Sequence, residues 1–196
     1  MSQITRSSLT EPAFFALIAG REERSELIDG QPVMMAPTTQ RHRDLVANIL
    51  AALHEQLRGT GCRPTCSRTG VRTGEATIRY PDIVVDCGAR YDHGMCATSP
   101  VLLCEVLSPA RDLFDTHQRV SEYRAVPDIA CIVLIDPEVP RAIIHRRDGA
   151  GWRDYLHAGL DQIVDLPEIG AGLAIREVYV GLEVSHTHEG PRRRPC

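Results

Sequence analysis

Lysine is missing altogether: all 22 basic side chains among the 196 residues are arginines. No lysine can therefore form a Schiff base, hold a phosphate in a P-loop or act as the cation that activates a water. Aromatic residues are scarce at 5%, with three Phe, five Tyr and one Trp, which gives little support to single-strand binding by base stacking. No apolar run reaches the ~18 residues that span a bilayer, and Met1 to Thr10 has no secretory apolar core. The expectation is a soluble, cytoplasmic protein with no membrane partner. No Cys-x-x-Cys pair occurs among the seven cysteines. Cys62 and Cys66 look like half of a zinc site, yet no second pair follows at ligand spacing. All seven are expected to be reduced, with Cys87, Cys104 and Cys131 acting as small hydrophobes inside apolar runs.

What is present is an ordinary globular composition, 43% hydrophobic and 24% charged, which excludes disorder and low-complexity structure. At ~150 residues per domain the length predicts one domain. We expect a flexible segment over 1–9, a single domain over 10–184 and a disordered tail over 185–196, where His186, His188 and Glu189 look like bystanders. The net charge of −4 is no general attractor for nucleic acid, but its distribution is uneven. Arg58, Arg63, Arg68, Arg72 and Arg79 face only Glu75 in that stretch, and Arg141, Arg146, Arg147 and Arg153 form a second basic run. A solvated strand face accounts for either run alone.

Thr10 caps a short helix over Glu11 to Ile18, with Pro12 early and Gly20 as its stop. Asp29-Gly30 between two apolar tetrapeptides predicts a hairpin. Leu45, Val46, Ile49, Leu50, Leu53 and Leu57 form one stripe on a helix over about 39–57. Cys62 to Arg72 is expected to be a strand, a turn and a strand. Thr77 to Cys87 and Val101 to Leu107 are expected to be central strands buried on both faces. A helix over 112–125, a strand over 129–135 and a hairpin around Asp148-Gly149 follow. The order predicts an α/β or α+β architecture with a mixed sheet flanked by helices.

Two carboxylates stand out. Asp82 heads one apolar strand and Glu105 lies inside another, where an ionised group is costly unless compensated. On neighbouring strands they can converge on one divalent ion, and hard oxygen donors suit Mg²⁺ or Mn²⁺. Singly, each is better accounted for by pointing outward at a strand end.

Pro81-Asp82 on one strand, Glu105 on the next and then a helix resembles the PD-(D/E)XK nuclease core. More narrowly, the chain resembles the Uma-two family of restriction-endonuclease-like proteins. The resemblance runs through Glu26-Leu27-Ile28-Asp29-Gly30, Met35-Ala36-Pro37, Tyr80-Pro81-Asp82-Ile83-Val84-Val85 and Glu105-Val106-Leu107-Ser108-Pro109. It continues through Glu122-Tyr123-Arg124-Ala125-Val126-Pro127 and Val133-Leu134-Ile135-Asp136. It implies a restriction-endonuclease-like fold with an N-terminal β-hairpin and a Mg²⁺- or Mn²⁺-dependent endonuclease acting on DNA as a homodimer. Asp82 and Glu105 would be the metal ligands. Glu26 would complete the metal shell or orient a water, and His42 would touch phosphate or metal unless it is simply a packed helix-start imidazole. Arg68, Arg72 and Arg79 would grip the phosphate backbone. The lysine usual two residues after the glutamate is replaced by Leu107, and alignment on the helix puts Arg119 in the alternative position. Arginine can stabilise an anionic transition state but cannot act as a base. The alternative is an inactive nuclease-fold protein that binds nucleic acid or serves in assembly.

Overall fold

The computed structural model describes residues 8–66, 68–108 and 113–184, with the side chains of Leu113 and Phe114 excepted. The calls on 1–7, on Asp112 and on the 185–196 tail lie outside the described residues. Leu9, expected in the flexible arm, donates its N–H to the Gly30 carbonyl at 2.8 Å.

Helix α1 spans Glu11–Ile18, and its Thr10 cap accepts from the Ala13 N–H at 3.5 Å. Strands β1 (Ser25–Ile28) and β2 (Gln31–Met34) pair antiparallel. Their two-residue turn needs positive φ at both positions, and Asp29 and Gly30 supply 48° and 74°. Helix α2, Gln40–Gln56, starts at Thr39, whose hydroxyl accepts from the His42 N–H at 3.2 Å. Its buried stripe is Leu45, Val46, Ile49 and Leu53, the periodicity that specified the helix.

Strands β3 (Arg63–Cys66), β4 (Val71–Gly74), β5 (Thr77–Arg79), β6 (Ile83–Asp86) and β7 (Pro100–Val106) follow. After helix α3 (Leu113–Ala125) come β8 (Cys131–Ile135), β9 (Arg141–Asp148), β10 (Gly151–Ala158), β11 (Ile163–Leu166), β12 (Ala171–Ala174) and the short α4 (Ile175–Val178). The main sheet has the order β10-β9-β8-β7-β6-β3. Only its β7–β8 pair is parallel, and the segment that carries α3 makes the crossover such a pair requires. A smaller antiparallel sheet has the order β2-β1-β5-β4, and β11 pairs with β12. The mixed architecture and the N-terminal hairpin are as expected.

Alternate residues of the central strands go to opposite faces. Ile83, Val85, Leu102, Cys104, Val133 and Ile135 pack with the α2 stripe. Val84, Leu103, Ile132 and Leu134 pack with Val120 and Tyr123 of α3. Burial on both faces explains why these strands are continuously apolar. No helix of the described residues is long and apolar enough to cross a membrane.

Two expectations need correction. The span 77–87 is not one strand: β5 belongs to the small sheet and β6 to the large one, with the break at Tyr80-Pro81-Asp82. Proline has no N–H for a ladder, so the chain changes sheets there. The two strands expected within Cys62 to Arg72 are present as β3 and β4, and they belong to different sheets. Finally, Cys62 and Cys87 are joined in a disulfide. They flank the β3–β6 register just beyond the Arg63–Asp86 pair, and so face each other across the two strands. Cys66, Cys96, Cys104 and Cys131 are free.

Candidate active site

The sheet change at Pro81 sets two cross-strand pairs beside each other. In the small sheet, Leu27 is opposite Ile78, so the next position along that register matches Glu26 with Arg79. In the large sheet, Ile83 is opposite Cys104, so the next position matches Asp82 with Glu105. The tetrapeptide Arg79-Tyr80-Pro81-Asp82 joins the two pairs. All four side chains are buried: Glu26 at 2% exposure, Arg79 at 1%, Asp82 at 5% and Glu105 at 2%.

Helix α3 closes the cluster with residues one turn apart. Arg119 donates to both oxygens of Glu26, at 2.8 and 2.6 Å. Its Nε donates to Asp115 Oδ2 at 3.2 Å, and its guanidinium lies 3.6 Å from Glu105. The Tyr123 hydroxyl donates to Glu105 Oε1 at 2.7 Å. Glu122 receives two hydrogen bonds from Arg79, both 2.7 Å, with further donors in Gln118 and Thr73. A buried carboxylate persists only with such partners, and here each acid has an arginine, a phenol or a histidine beside it.

Helix α2 contributes His42, whose Nε2 lies 3.1 Å from Asp82 Oδ2. The same oxygen accepts from the Val106 N–H at 2.9 Å. Asp82 Oδ1 accepts no hydrogen bond from the described residues, so one oxygen of this carboxylate is held and the other is open.

The charge balance inside the cluster is strong. Burial opposes the Arg119 cation, but the charges of Glu105 and Glu26 and the Glu26 hydrogen bonds outweigh it and push its pKa further above the ordinary arginine value. Burial likewise opposes the Arg79 cation and is outweighed by Glu122 and Glu26. Glu122 is held below the usual glutamate range because the Arg79 hydrogen bonds and charge outweigh burial. Burial, then the Glu105 charge, pushes the Tyr123 phenol well up, so it stays a proton donor to Glu105. Both arginines are permanent cations.

A cleft of about 330 Å³ opens over this cluster. Glu26, His42, Arg79, Ser108, Asp115 and Arg119 are in its wall; Asp82 and Glu105 are not, but each adjoins a wall residue, His42 and Arg119 respectively. Among the described residues no group of three His, Cys, Asp or Glu side chains is placed to hold a metal ion. The donor set fits a divalent ion in a sparser way: two hard carboxylates on facing positions, one with an open oxygen. Mg²⁺ is commonly held by one or two carboxylates and keeps several waters.

The structure thus brings together Glu26, His42, Asp82, Glu105 and Arg119, with Arg79 among them. It gives two of these a different setting from the one expected. Glu26 accepts from Arg119, Arg79 and the Tyr80 N–H, which commits both its oxygens to anchoring and not to a water. Arg79, expected on phosphate, has its guanidinium shared between Glu26 and Glu122. Arg72 is bound through two hydrogen bonds to Glu11, at 2.8 and 2.6 Å, and Arg68 borders a separate cavity. The three arginines form no single phosphate track. Glu122 and Tyr123 also join the cluster, and their three- and four-residue spacing from Arg119 puts them on its helix face.

A family model, Uma2, described as "Putative restriction endonuclease", matches residues 12–178. An uncharacterized protein of Synechocystis sp. is 24% identical over 165 residues, covering 83% of this chain and 86% of that protein. A second from the same organism is 28% identical over 118 residues, covering 58% and 67%. Among solved structures, a crystal structure described as a putative nuclease belonging to DUF820 from Anabaena variabilis superposes with a TM-score of 0.70 at 18% identity. It covers 87% of this chain and 97% of that one, a likeness of fold.

Proposed function

This chain belongs to the Uma2 family of restriction-endonuclease-like proteins, and from that premise we propose that it is a Mg²⁺- or Mn²⁺-dependent endonuclease hydrolysing DNA phosphodiester bonds. The observation that carries the reading is the facing pair Asp82 and Glu105 with Arg119 held beside them. Two buried carboxylates on adjoining strands, one with an oxygen left open, are a costly arrangement for stability alone.

Asp82 and Glu105 would hold the ion. When bound, the metal supplies Lewis acidity toward a phosphoryl oxygen and makes its water more acidic. The remaining roles fall to this chain's own groups. His42 and the Val106 N–H fix Asp82 Oδ2 and so aim Oδ1. Tyr123 keeps its proton and orients Glu105. Glu26 clamps Arg119 in the cleft wall, where its charge offsets the negative charge that grows on phosphorus. Glu26 and Arg79 are positioning residues in this account. Arg119 cannot take a proton, so no side chain replaces the missing lysine as a base. Cutting both strands calls for two such sites, which a symmetric homodimer provides.

A second reading is favoured by one observation: Arg119 lies between Glu26 and Glu105 and already neutralises much of their charge. That suits an inactive nuclease-fold protein that binds nucleic acid or serves in assembly. Incubation of supercoiled plasmid with the protein and Mg²⁺ or Mn²⁺, beside Asp82→Ala, separates the two. Nicking by the wild type alone supports the endonuclease. An intact plasmid in both lanes under saturating metal overturns it.

A further inference from the structure

Arg119 is shared unequally among three carboxylates. Its guanidinium meets Glu26 through hydrogen bonds of 2.8 and 2.6 Å and Asp115 through one of 3.2 Å. Glu105 Oε1 stands 3.6 Å away, beyond hydrogen-bond length, so this contact is one of charge alone. The Arg119 and Glu105 side chains are 7% and 3% exposed, and buried charges are screened little. The Glu105 charge accordingly leads the groups that raise the Arg119 pKa.

The acids are compensated differently. Glu26 has a second arginine, since Arg79 donates to it at 3.0 Å. Glu105 Oε1 accepts from the neutral Tyr123 hydroxyl at 2.7 Å. Asp82, facing Glu105 across the strands, is bonded to His42 and the Val106 N–H and pairs with no arginine among the described residues. The Asp82–Glu105 pair thus leans on a cation that is fastened to other acids.

We propose that Arg119 is a tethered counter-ion of Glu105 that sets how tightly Asp82 and Glu105 take a divalent ion. Its hydrogen bonds to Glu26 and Asp115 hold the positive charge beside Glu105, where it opposes a second cation and keeps ion affinity low. Arg119 acts here through Glu105 and is a positioning residue toward the ion. The inference rests on the metal-site reading of Asp82 and Glu105; the three-way sharing of Arg119 stands apart from it.

The test is Mn²⁺ titration followed by electron paramagnetic resonance on the wild type, Arg119→Gln, Arg119→Lys, Glu26→Gln and the double variant Glu26→Gln with Arg119→Gln, each checked for a native circular-dichroism spectrum. Arg119→Gln removes the charge and is expected to bind Mn²⁺ at least about tenfold more tightly than the wild type. Arg119→Lys keeps the charge and should stay within about threefold of the wild type. The double variant leaves neither partner charged alone, so it guards against loss of fold in the single one, and it should bind at least about tenfold more tightly than Glu26→Gln. A role in packing alone has the opposite sign, because a loosened cluster binds the ion less well. Unchanged or weaker binding on losing the Arg119 charge, in either comparison, overturns the proposal while leaving the metal site standing. Failure of every protein, the wild type included, to bind Mn²⁺ overturns the metal-site reading and the proposal with it.

Discussion

Arg119 holds Glu26 with two parallel hydrogen bonds, 2.8 and 2.6 Å, tying the face of α3 to the first strand of the small sheet. The same guanidinium is 3.6 Å from Glu105 in the large sheet. One side chain thus connects both sheets and the helix between β7 and β8, which makes the pair a structural joint as well as the edge of the cleft.

Glu26→Ala should cost about 3–5 kcal/mol, because it removes the carboxylate that two buried arginines share. Urea denaturation measures this. Replacing Glu26 and Arg119 together by Leu and Met should cost much less than the sum of the single changes. A double variant that is simply additive would mean that the pair is not coupled.

Arg119→Lys keeps a cation but loses the fork that meets both Glu26 oxygens. We expect a loss of about 1–2 kcal/mol in stability, with nicking activity retained in part, whereas Arg119→Ala should lower the cleavage rate at least about a hundredfold. Single-turnover rates on plasmid at saturating metal check both.

Stability should fall in acid. Glu122 is held below its ordinary value of 4.5, and Asp86 and Asp136 below 3.8. A depressed native pKa contributes stability above the unfolded value and loses it as pH falls through the native one. The folding free energy is therefore level above about pH 5 with respect to these groups and declines below it. Glu122→Gln should flatten the decline while lowering the plateau. Denaturant midpoints between pH 3 and pH 7 give the comparison.

The disulfide joins residues 25 apart. Closing a loop of that length in the unfolded chain corresponds to about 3–4 kcal/mol. Cys62→Ser with Cys87→Ser should lower the denaturation midpoint accordingly, and reductant should do the same to the wild type but leave the double variant unchanged.

Local signals were legible from residues alone. Thr39 and the α2 stripe specify that helix, and Asp29-Gly30 specifies the hairpin turn. The alternation of core faces could not be seen in 83–86 and 101–106, because burial on both sides erases it. The break at Pro81 was hidden for a related reason: apolar residues run through it from one sheet into another. The Cys62–Cys87 bond depends on β3 pairing with β6, with β4 and β5 between them in the chain, which no local spacing encodes. Arg79 looked like Arg68 and Arg72 in sequence, yet it is buried while they are exposed, since only the β1–β5 register sets Glu26 against it. The short β11, β12 and α4 carry too few residues for a period to emerge.

The most direct measurement is Mn²⁺ binding followed by electron paramagnetic resonance on wild type, Asp82→Asn and Glu105→Gln, each checked for a native circular-dichroism spectrum. The account predicts saturable binding of the ion by the wild type and its loss in both variants. Equal binding in all three, or none in the wild type at millimolar metal, would contradict it.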